Sequence, residues 1–139
     1  MPSFNIFDIA GSGMSAQSVR LNTTASNLAN ADAVSGDPNS VYRAKHPVFA
    51  VAKTGNAAPG VVPGATVQVS GIVESTSEPL KRYEPGHPLA DAEGYVYAPG
   101  VNVVEEMVDM ISASRSYQND VEVMKTARDL MLATLRLGQ

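Results

Sequence analysis

The chain has 139 residues, of which 44% are hydrophobic and 17% are charged, a composition typical of one globular domain. Its formal net charge is −4 and its Lys and Arg residues are scattered, which argues against a nucleic-acid partner, because phosphate-binding surfaces cluster their basic side chains. The absence of Cys excludes disulfides and thiolate metal sites.

A long amphipathic helix is predicted at the start of the chain, from about Ser3 to about Asn30. Large apolar residues recur at every seventh position, which is typical of helices that pack lengthwise on other helices: Phe7, Met14, Leu21 and Leu28. Beside them lies a row of small residues that would let another backbone approach closely: Gly11, Ser18 and Ala25. Because Gly11 and Gly13 together cost roughly 2 kcal/mol of helix propensity, we expect this helix to be ordered only when it packs.

Two amides, Asn27 and Asn30, lie three residues apart on one face near the end of this helix. They could hydrogen-bond across a packed interface and fix its register, as a buried Asn does in coiled coils. Alternatively, Asn30 caps the helix and Asn27 is solvated. The spacing alone favours the second interpretation.

The middle of the chain, residues 33–100, predicts a small and irregular β region. Residues 32–38 are rich in Asp, Ser, Gly and Pro, which indicates a loop. Gly71 breaks an alternating pattern and predicts a bulge or bend. Three strand-like segments are predicted: Val48–Val51, Thr66–Ser70 and Tyr95–Tyr97.

A second long helix is predicted after Asn102, which with Glu105 resembles a capping box, and it should end at about Leu137 before Gly138. It carries its own seven-residue row: Val103, Met110, Tyr117, Met124 and Met131. A neighbouring row broadens the apolar face: Met107, Val121 and Leu135.

These patterns predict a mainly α protein with a small β region, in which the N- and C-terminal helices pair as an antiparallel, coiled-coil-like bundle around an irregular β and loop middle. The domain boundaries are 1–32, 33–100 and 101–139. Because two such long helices exceed what a small chain can bury alone, we expect subunit contacts along them. The candidate assembly residues are Phe7, Met14, Leu21, Asn27, Leu28, Asn30, Val103, Met107, Met110, Tyr117, Val121, Met124, Met131 and Leu135.

Enzyme chemistry has almost no support in the sequence, and we predict no catalytic, cofactor-binding or metal-binding residues. The only histidines, His46 and His87, lack the spacing of metal ligands. The Gly11-Ser12-Gly13 segment is neither a P-loop nor a dinucleotide loop, since no strand precedes it and no Lys-Ser/Thr follows. No Ser lies in a G-x-S-x-G elbow.

Several segments resemble a known family. At the start of the chain they are similar to the N-terminal signature of bacterial flagellar rod and hook proteins: Phe4 to Ser12, Arg20 to Asn22 and Ala25 to Asp32. Segments of the middle resemble the proximal-rod proteins of the flagellar basal body: Tyr42-Arg43, Pro47 to Phe49 and Tyr83 to Val96. Three segments near the end of the chain resemble the C-terminal segment that these flagellar proteins share: Asn102 to Asp109, Tyr117 to Asn119 and Asp129 to Met131. Ala44 stands where the family often has a second basic residue.

The resemblance implies a structural subunit of the basal-body rod, a tube that crosses the periplasm, houses the export channel and transmits torque. Its implied partners are copies of itself, other rod proteins, and the basal-body ring and export gate near its base. Such proteins leave the cell through the flagellar type III channel without a cleaved signal peptide, which fits the lack of basic residues before Arg20. No run reaches the roughly 18 apolar residues of a membrane span, so no stable membrane insertion is expected.

Three alternatives stay open at this point. The chain could be another axial protein, such as a needle or inner-rod subunit of a virulence secretion system. It could be a cytosolic helical adaptor or type III export chaperone, which would purify as a stable helical oligomer without partners. A cell-wall hydrolase would require paired catalytic carboxylates or a metal, and the scattered acids offer no convincing pair.

Overall fold

The structure is a computed structural model that describes residues 2–54 and 64–137. Two long helices enclose four strands in sequence, which confirms the predicted fold class. Over the described residues, neither helix is long and apolar enough to cross a membrane. The elements are α1 (Pro2–Ala29), β1 (Lys45–Thr54), β2 (Gly64–Glu74), β3 (Leu80–Tyr83), β4 (Tyr95–Ala98) and α2 (Val103–Leu137).

The helix ends follow the predicted capping chemistry. Asn30 lies just after α1, and its Nδ2 donates to the carbonyl of Ser26 at 2.8 Å, which satisfies an acceptor in the last turn. At the start of α2, Asn102 Oδ1 accepts hydrogen bonds from the backbone N–H groups of Val104 at 3.1 Å and Glu105 at 3.4 Å. The predicted cap at Asn102 is therefore confirmed.

The two helices run antiparallel along most of α1. Near its C-terminal end Arg20 pairs with Asp109 at 2.8 Å, and towards its N-terminal end Ile6 shares a groove with Leu130. Between them, a Cβ on Gly13 would lie 2.7 Å from Oδ2 of Asp120, so the Asp120 side chain of α2 lies directly against Gly13.

Within one chain, the predicted row of small residues does not mark a close approach between α1 and α2, and its contact with another subunit stays a prediction. A Cβ on Gly11 would lie 3.9 Å from Cε of Met124, an ordinary contact, whereas Ser18 and Ala25 are exposed.

β1 and β2 form an antiparallel two-stranded sheet that lies against α1. Val48 pairs with Gly71 and Phe49 pairs with Val69, so Ser70 is the extra residue of a bulge next to Gly71, as predicted. The strands are longer than predicted. Pro47 is tolerated within β1 because each strand of a two-stranded sheet has one free edge.

β3 and β4 form a second antiparallel sheet, and β3 was not predicted from the sequence. All four residues of β3 are exposed, so it carries no alternating pattern. The connection between the two strands ends at Gly94, whose φ is 85°. Across the sheet, Lys81 Nζ lies 3.8 Å from the ring centroid of Tyr95, a cation–π contact. Ser35 exchanges two backbone hydrogen bonds with Tyr97, which ties the loop after α1 to β4.

The hydrophobic core is built from small side chains. Within the described ranges, its buried members are Ala10, Ala16, Ala31, Val41, Ala44, Val96, Ala98 and Ala113. Many of the large apolar side chains remain exposed on the helices and on β1 and β2. A single copy of the chain therefore leaves many of its large apolar side chains in contact with solvent.

Candidate assembly interface

The facing sides of α1 and α2 bring together four of the predicted assembly residues. Phe7 and Met14 of α1 and Val121 and Met124 of α2 line one groove of ≈ 250 Å³. All four are half-buried, and the cationic side chains of Lys125 and Arg128 complete the lining. Phe7 and Met14 of the seven-residue row of α1 therefore face α2 of their own chain.

The remaining predicted apolar residues divide into two groups. Four are half-buried: Leu21, Leu28, Met110 and Met131. Four are exposed, with 42%, 53%, 38% and 63% of their surface accessible: Val103, Met107, Tyr117 and Leu135. Only the second group is freely available to a neighbouring subunit in this conformation.

Asn27 corrects the interpretation that its spacing favoured. Its side chain is fully buried rather than solvated, and Nδ2 donates to the carbonyl of Lys45 at 2.9 Å. Its Oδ1 accepts from the hydroxyl of Tyr42 at 2.9 Å and from the N–H of Lys45 at 2.8 Å. These bonds lie within the chain and join the C-terminal end of α1 to Tyr42 and Lys45. Because Asn27 is fully buried, none of its atoms is exposed to a neighbouring subunit.

A surface that the seven-residue rows missed lies on the outer side of α2. Val104, Val108 and Ile111 are 69%, 60% and 54% exposed and follow each other at helical spacing. We call these three residues the outer stripe. Arg115 continues the same line one turn further on and is also exposed. The i, i+4, i+7 spacing was the available signal, and contiguous exposed apolar residues of this kind mark interaction surfaces.

A second apolar surface lies where the N-terminal end of α1 meets the C-terminal half of α2. A groove of ≈ 480 Å³ opens there. It is lined by Ile6, Asn119, Glu122, Val123, Thr126, Ala127 and Leu130. The shape and composition suit an apolar ridge of another helix, because such ridges pack into grooves between neighbouring side chains.

Near the N-terminal end of α2 lies a polar pocket of ≈ 240 Å³. Its lining includes His46, Ser75, Ser77, Glu105 and Glu106. Among the residues with described positions, no group of three or more His, Cys, Asp or Glu side chains could hold a metal ion.

Comparison with known proteins identifies families that match both ends of the chain. Residues 7–36 match the family described as flagella basal body rod protein. Residues 92–137 match the family described as flagellar basal body rod FlgEFG protein C-terminal. These two segments contain most of α1 and all of α2, the elements that carry the apolar surfaces.

Full-length relatives share the same description. The chain is 57% identical to the flagellar basal-body rod protein FlgC of Escherichia coli O6:H1 and 55% identical to that of Salmonella typhimurium, in both cases over 139 residues and 100% of each chain. It is 37% identical to FlgC of Agrobacterium fabrum over 130 residues, which cover 93% of this chain and 90% of that protein. The outer stripe and the apolar grooves thus lie on a structural rod subunit, and the chain belongs to the family of FlgC flagellar basal-body rod proteins.

Proposed function

We propose that the chain polymerises through α1 and α2 into the proximal rod, with copies of itself and other rod proteins as lateral neighbours. The observation that carries this proposal is that small apolar side chains are buried while many large ones are exposed. Alanines and valines fill the described core, while the outer stripe and residues such as Leu130 and Leu135 are exposed. Exposed apolar surface of this extent favours a protein partner.

The proposed contacts would recover much of the missing burial. Covering one Val, Ile or Leu side chain contributes about 1.5–3 kcal/mol, so the outer stripe alone offers several kcal/mol at an interface. The outer stripe and the groove of ≈ 480 Å³ between Ile6 and Leu130 lie on different parts of α2. When one surface of a subunit binds a different surface of the next, the contact can repeat from copy to copy, and it generates a helical tube where the rotation does not close into a ring.

The role is proposed to be structural rather than enzymatic. We place the tube around the export channel, where it transmits torque, with the basal-body ring and the export gate as neighbours at its base. Export through the type III channel without a cleaved signal peptide is consistent with a chain whose first helix contains Gly11 and Gly13 and gains much of its order from packing. The alternative of a cytosolic adaptor or export chaperone is not favoured, because the relatives are named as rod proteins.

Val108→Asp tests this function at the centre of the outer stripe. Val108 is 60% exposed, so the purified variant should unfold at the same temperature as the natural chain. The introduced carboxylate would be buried at the proposed interface and would prevent rod formation. The measurement is the number of rods in isolated basal bodies and the diameter of swimming halos.

Gln68→Asp is the control, because it adds the same carboxylate at an exposed polar position of β2, outside the two helices. It should leave rods and swimming close to normal. If Val108→Asp cells assembled normal rods and swam normally, the outer stripe would not be an assembly surface and the proposal would be wrong.

A further inference from the structure

Glu106 is a buried acid that lies near the N-terminal end of α2. Its residue surface is 4% exposed, and its Oε2 has no hydrogen-bond partner among the described residues. Burying a carboxylate without a partner is costly, because the group loses its water and gains nothing in exchange. The position of Glu106 in the first turns of α2 recovers part of that cost through the helix dipole.

The polar pocket beside Glu106 has space for a charged group from outside. Its volume of ≈ 240 Å³ is several times the roughly 30 Å³ that one water molecule takes in the liquid. Its lining offers acceptors in several directions, namely the hydroxyls of Ser75 and Ser77 and the carboxylates of Glu105 and Glu106. A guanidinium, with five N–H donors in a fixed plane, suits such a set of acceptors better than a single hydroxyl or amide does.

The chain carries a matching cation on the opposite side of α2. Arg115 follows Glu106 by nine positions, which is about two and a half helical turns, so the two side chains point in opposite directions. Arg115 is exposed and pairs with no carboxylate in the described part of the chain. It also stands at the end of the outer stripe, and arginines beside apolar anchors are common at the centres of interfaces.

We infer that Arg115 of one copy enters the pocket of the next copy and pairs with Glu106. The inference rests on the proposed function and adds to it the residues that join like subunits. Since the acid and the base lie on opposite sides of α2, the contact is head-to-tail rather than symmetric, which is the type that builds a ring or helix. Glu106 then gains its missing partner only when a second copy is in place.

Two basic residues of the same chain lie at this pocket, His46 in its lining and Arg43 next to it. Arg43 Nη1 lies 3.5 Å from the carbonyl oxygen of Ser75, at the limit of a hydrogen bond, and Ser75 is part of the pocket lining. Occupation by Arg43 of the same chain and occupation by Arg115 of another copy make different predictions for cross-linking between copies.

The test exploits the absence of cysteine from the chain. Ser77→Cys places a thiol at the exposed edge of the pocket, and Arg115→Cys places one at the proposed ligand. Basal bodies isolated from a strain that makes only the double variant are treated with a short bismaleimide. We expect a band at twice the 14.6 kDa of one chain, detected with an antibody to it.

The control variants test whether the cross-link requires the proposed contact rather than any two cysteines in the rod. Each single variant should give no such band, and neither should Ser77→Cys combined with Arg136→Cys, which lies at the far end of the same helix. Rods that contain the double-cysteine chain but yield no dimer would overturn the inference and leave the rod function intact. Absence of the chain from basal bodies in the natural strain would overturn the proposed function itself.

Charge variants provide a second readout. Arg115→Glu should reduce rod formation by about tenfold or more, because it adds a third carboxylate to a pocket already lined by those of Glu105 and Glu106, whereas Arg115→Lys should retain most of it. Glu106→Gln should restore part of the loss caused by Arg115→Glu, since it removes one of the repelling charges. Equal losses with and without Glu106→Gln would contradict direct contact between the two positions.

Discussion

Asn27 and Lys45 exchange two hydrogen bonds, although 18 positions separate them in the chain. The amide of Asn27 donates to the Lys45 carbonyl and accepts from the Lys45 N–H, at 2.9 Å and 2.8 Å. The side chain thus pairs with the first residue of β1 much as a neighbouring strand would. This contact fixes the start of β1 beside the C-terminal end of α1.

We expect Asn27→Asp to lower the free energy of unfolding by about 2–3 kcal/mol at neutral pH. The substitution keeps the shape of the side chain but replaces the Nδ2 donor with an oxygen that faces the Lys45 carbonyl, and it buries a charge. Urea denaturation of the purified chain measures the change. Asn22→Asp, at an exposed position of α1, should change the value by no more than about 0.5 kcal/mol. Equal effects at the two positions would contradict the assigned role of Asn27.

The two glycines on α1 should respond differently to alanine. Gly11→Ala should raise the free energy of unfolding by up to about 1 kcal/mol, because the helix gains propensity and the added methyl meets only Met124 Cε at 3.9 Å. Gly13→Ala gains the same propensity but places its methyl 2.7 Å from Asp120 Oδ2 and 3.1 Å from Asp120 Cγ. The Asp120 side chain must move, so the net change should be smaller than at Gly11 or of opposite sign.

Thermal unfolding followed by helical circular dichroism compares the two alanine variants. Gly13→Ala combined with Asp120→Ala removes the obstructing carboxylate and should recover the gain seen at Gly11. If Gly11→Ala and Gly13→Ala raised the midpoint equally, the Asp120 side chain would not obstruct a methyl group at Gly13.

Features set by local sequence could be predicted, because they depend on residues within one or two turns of each other. The cap at Asn102 follows from an amide placed before a run of helix-forming residues, and the structure confirms it. The bulge next to Gly71 follows from a break in strand alternation. The bounds of α1 and α2 differ little from the predicted ones for the same reason.

Features set by distant contacts could not be predicted in the same way. Asn27 is buried because Tyr42 and Lys45 fold back onto it, and nothing in the Asn27–Asn30 spacing reveals those partners. β3 exists because Leu80–Tyr83 pairs with β4, although its own residues are all exposed. The seven-residue repeats of α2 lie towards the side that packs on α1, so they do not reveal the outer stripe on the opposite side.

The pH dependence of unfolding should contain a contribution from Asp91. The backbone N–H of Tyr95 donates to Oδ1 of Asp91 at 2.8 Å and holds the pKa of this carboxyl below its usual range. The N–H of Glu93 at 3.0 Å and the charge of Lys81 act in the same direction, while partial desolvation opposes them. A lowered folded-state pKa stabilises the protein above the ordinary aspartate pKa, and this contribution disappears as the pH falls through the lowered value.

Asp91→Asn should therefore unfold more easily than the natural chain at about pH 6, and the difference should shrink as the pH is lowered towards about pH 2. Urea denaturation at a series of pH values measures both curves. Asp32→Asn, at an exposed position in the loop after α1, should reproduce the natural pH profile more closely. A constant difference between Asp91→Asn and the natural chain at every pH would show that the carboxylate charge of Asp91 is not responsible.

Hydrogen exchange should reveal which part of α2 depends on neighbouring subunits. The helix is anchored near Ala113, which is fully buried, whereas Leu130, Leu135 and Leu137 are 63%, 63% and 87% exposed. Local stability follows buried contacts, so the amides of residues 130–137 should exchange much faster than those near Ala113 in the purified chain. In isolated rods the same segment should become protected, because the proposed neighbours cover its leucines. Strong protection of residues 130–137 in the dilute, purified chain would mean that this end of α2 needs no partner, and lack of protection in rods would place it outside the interface.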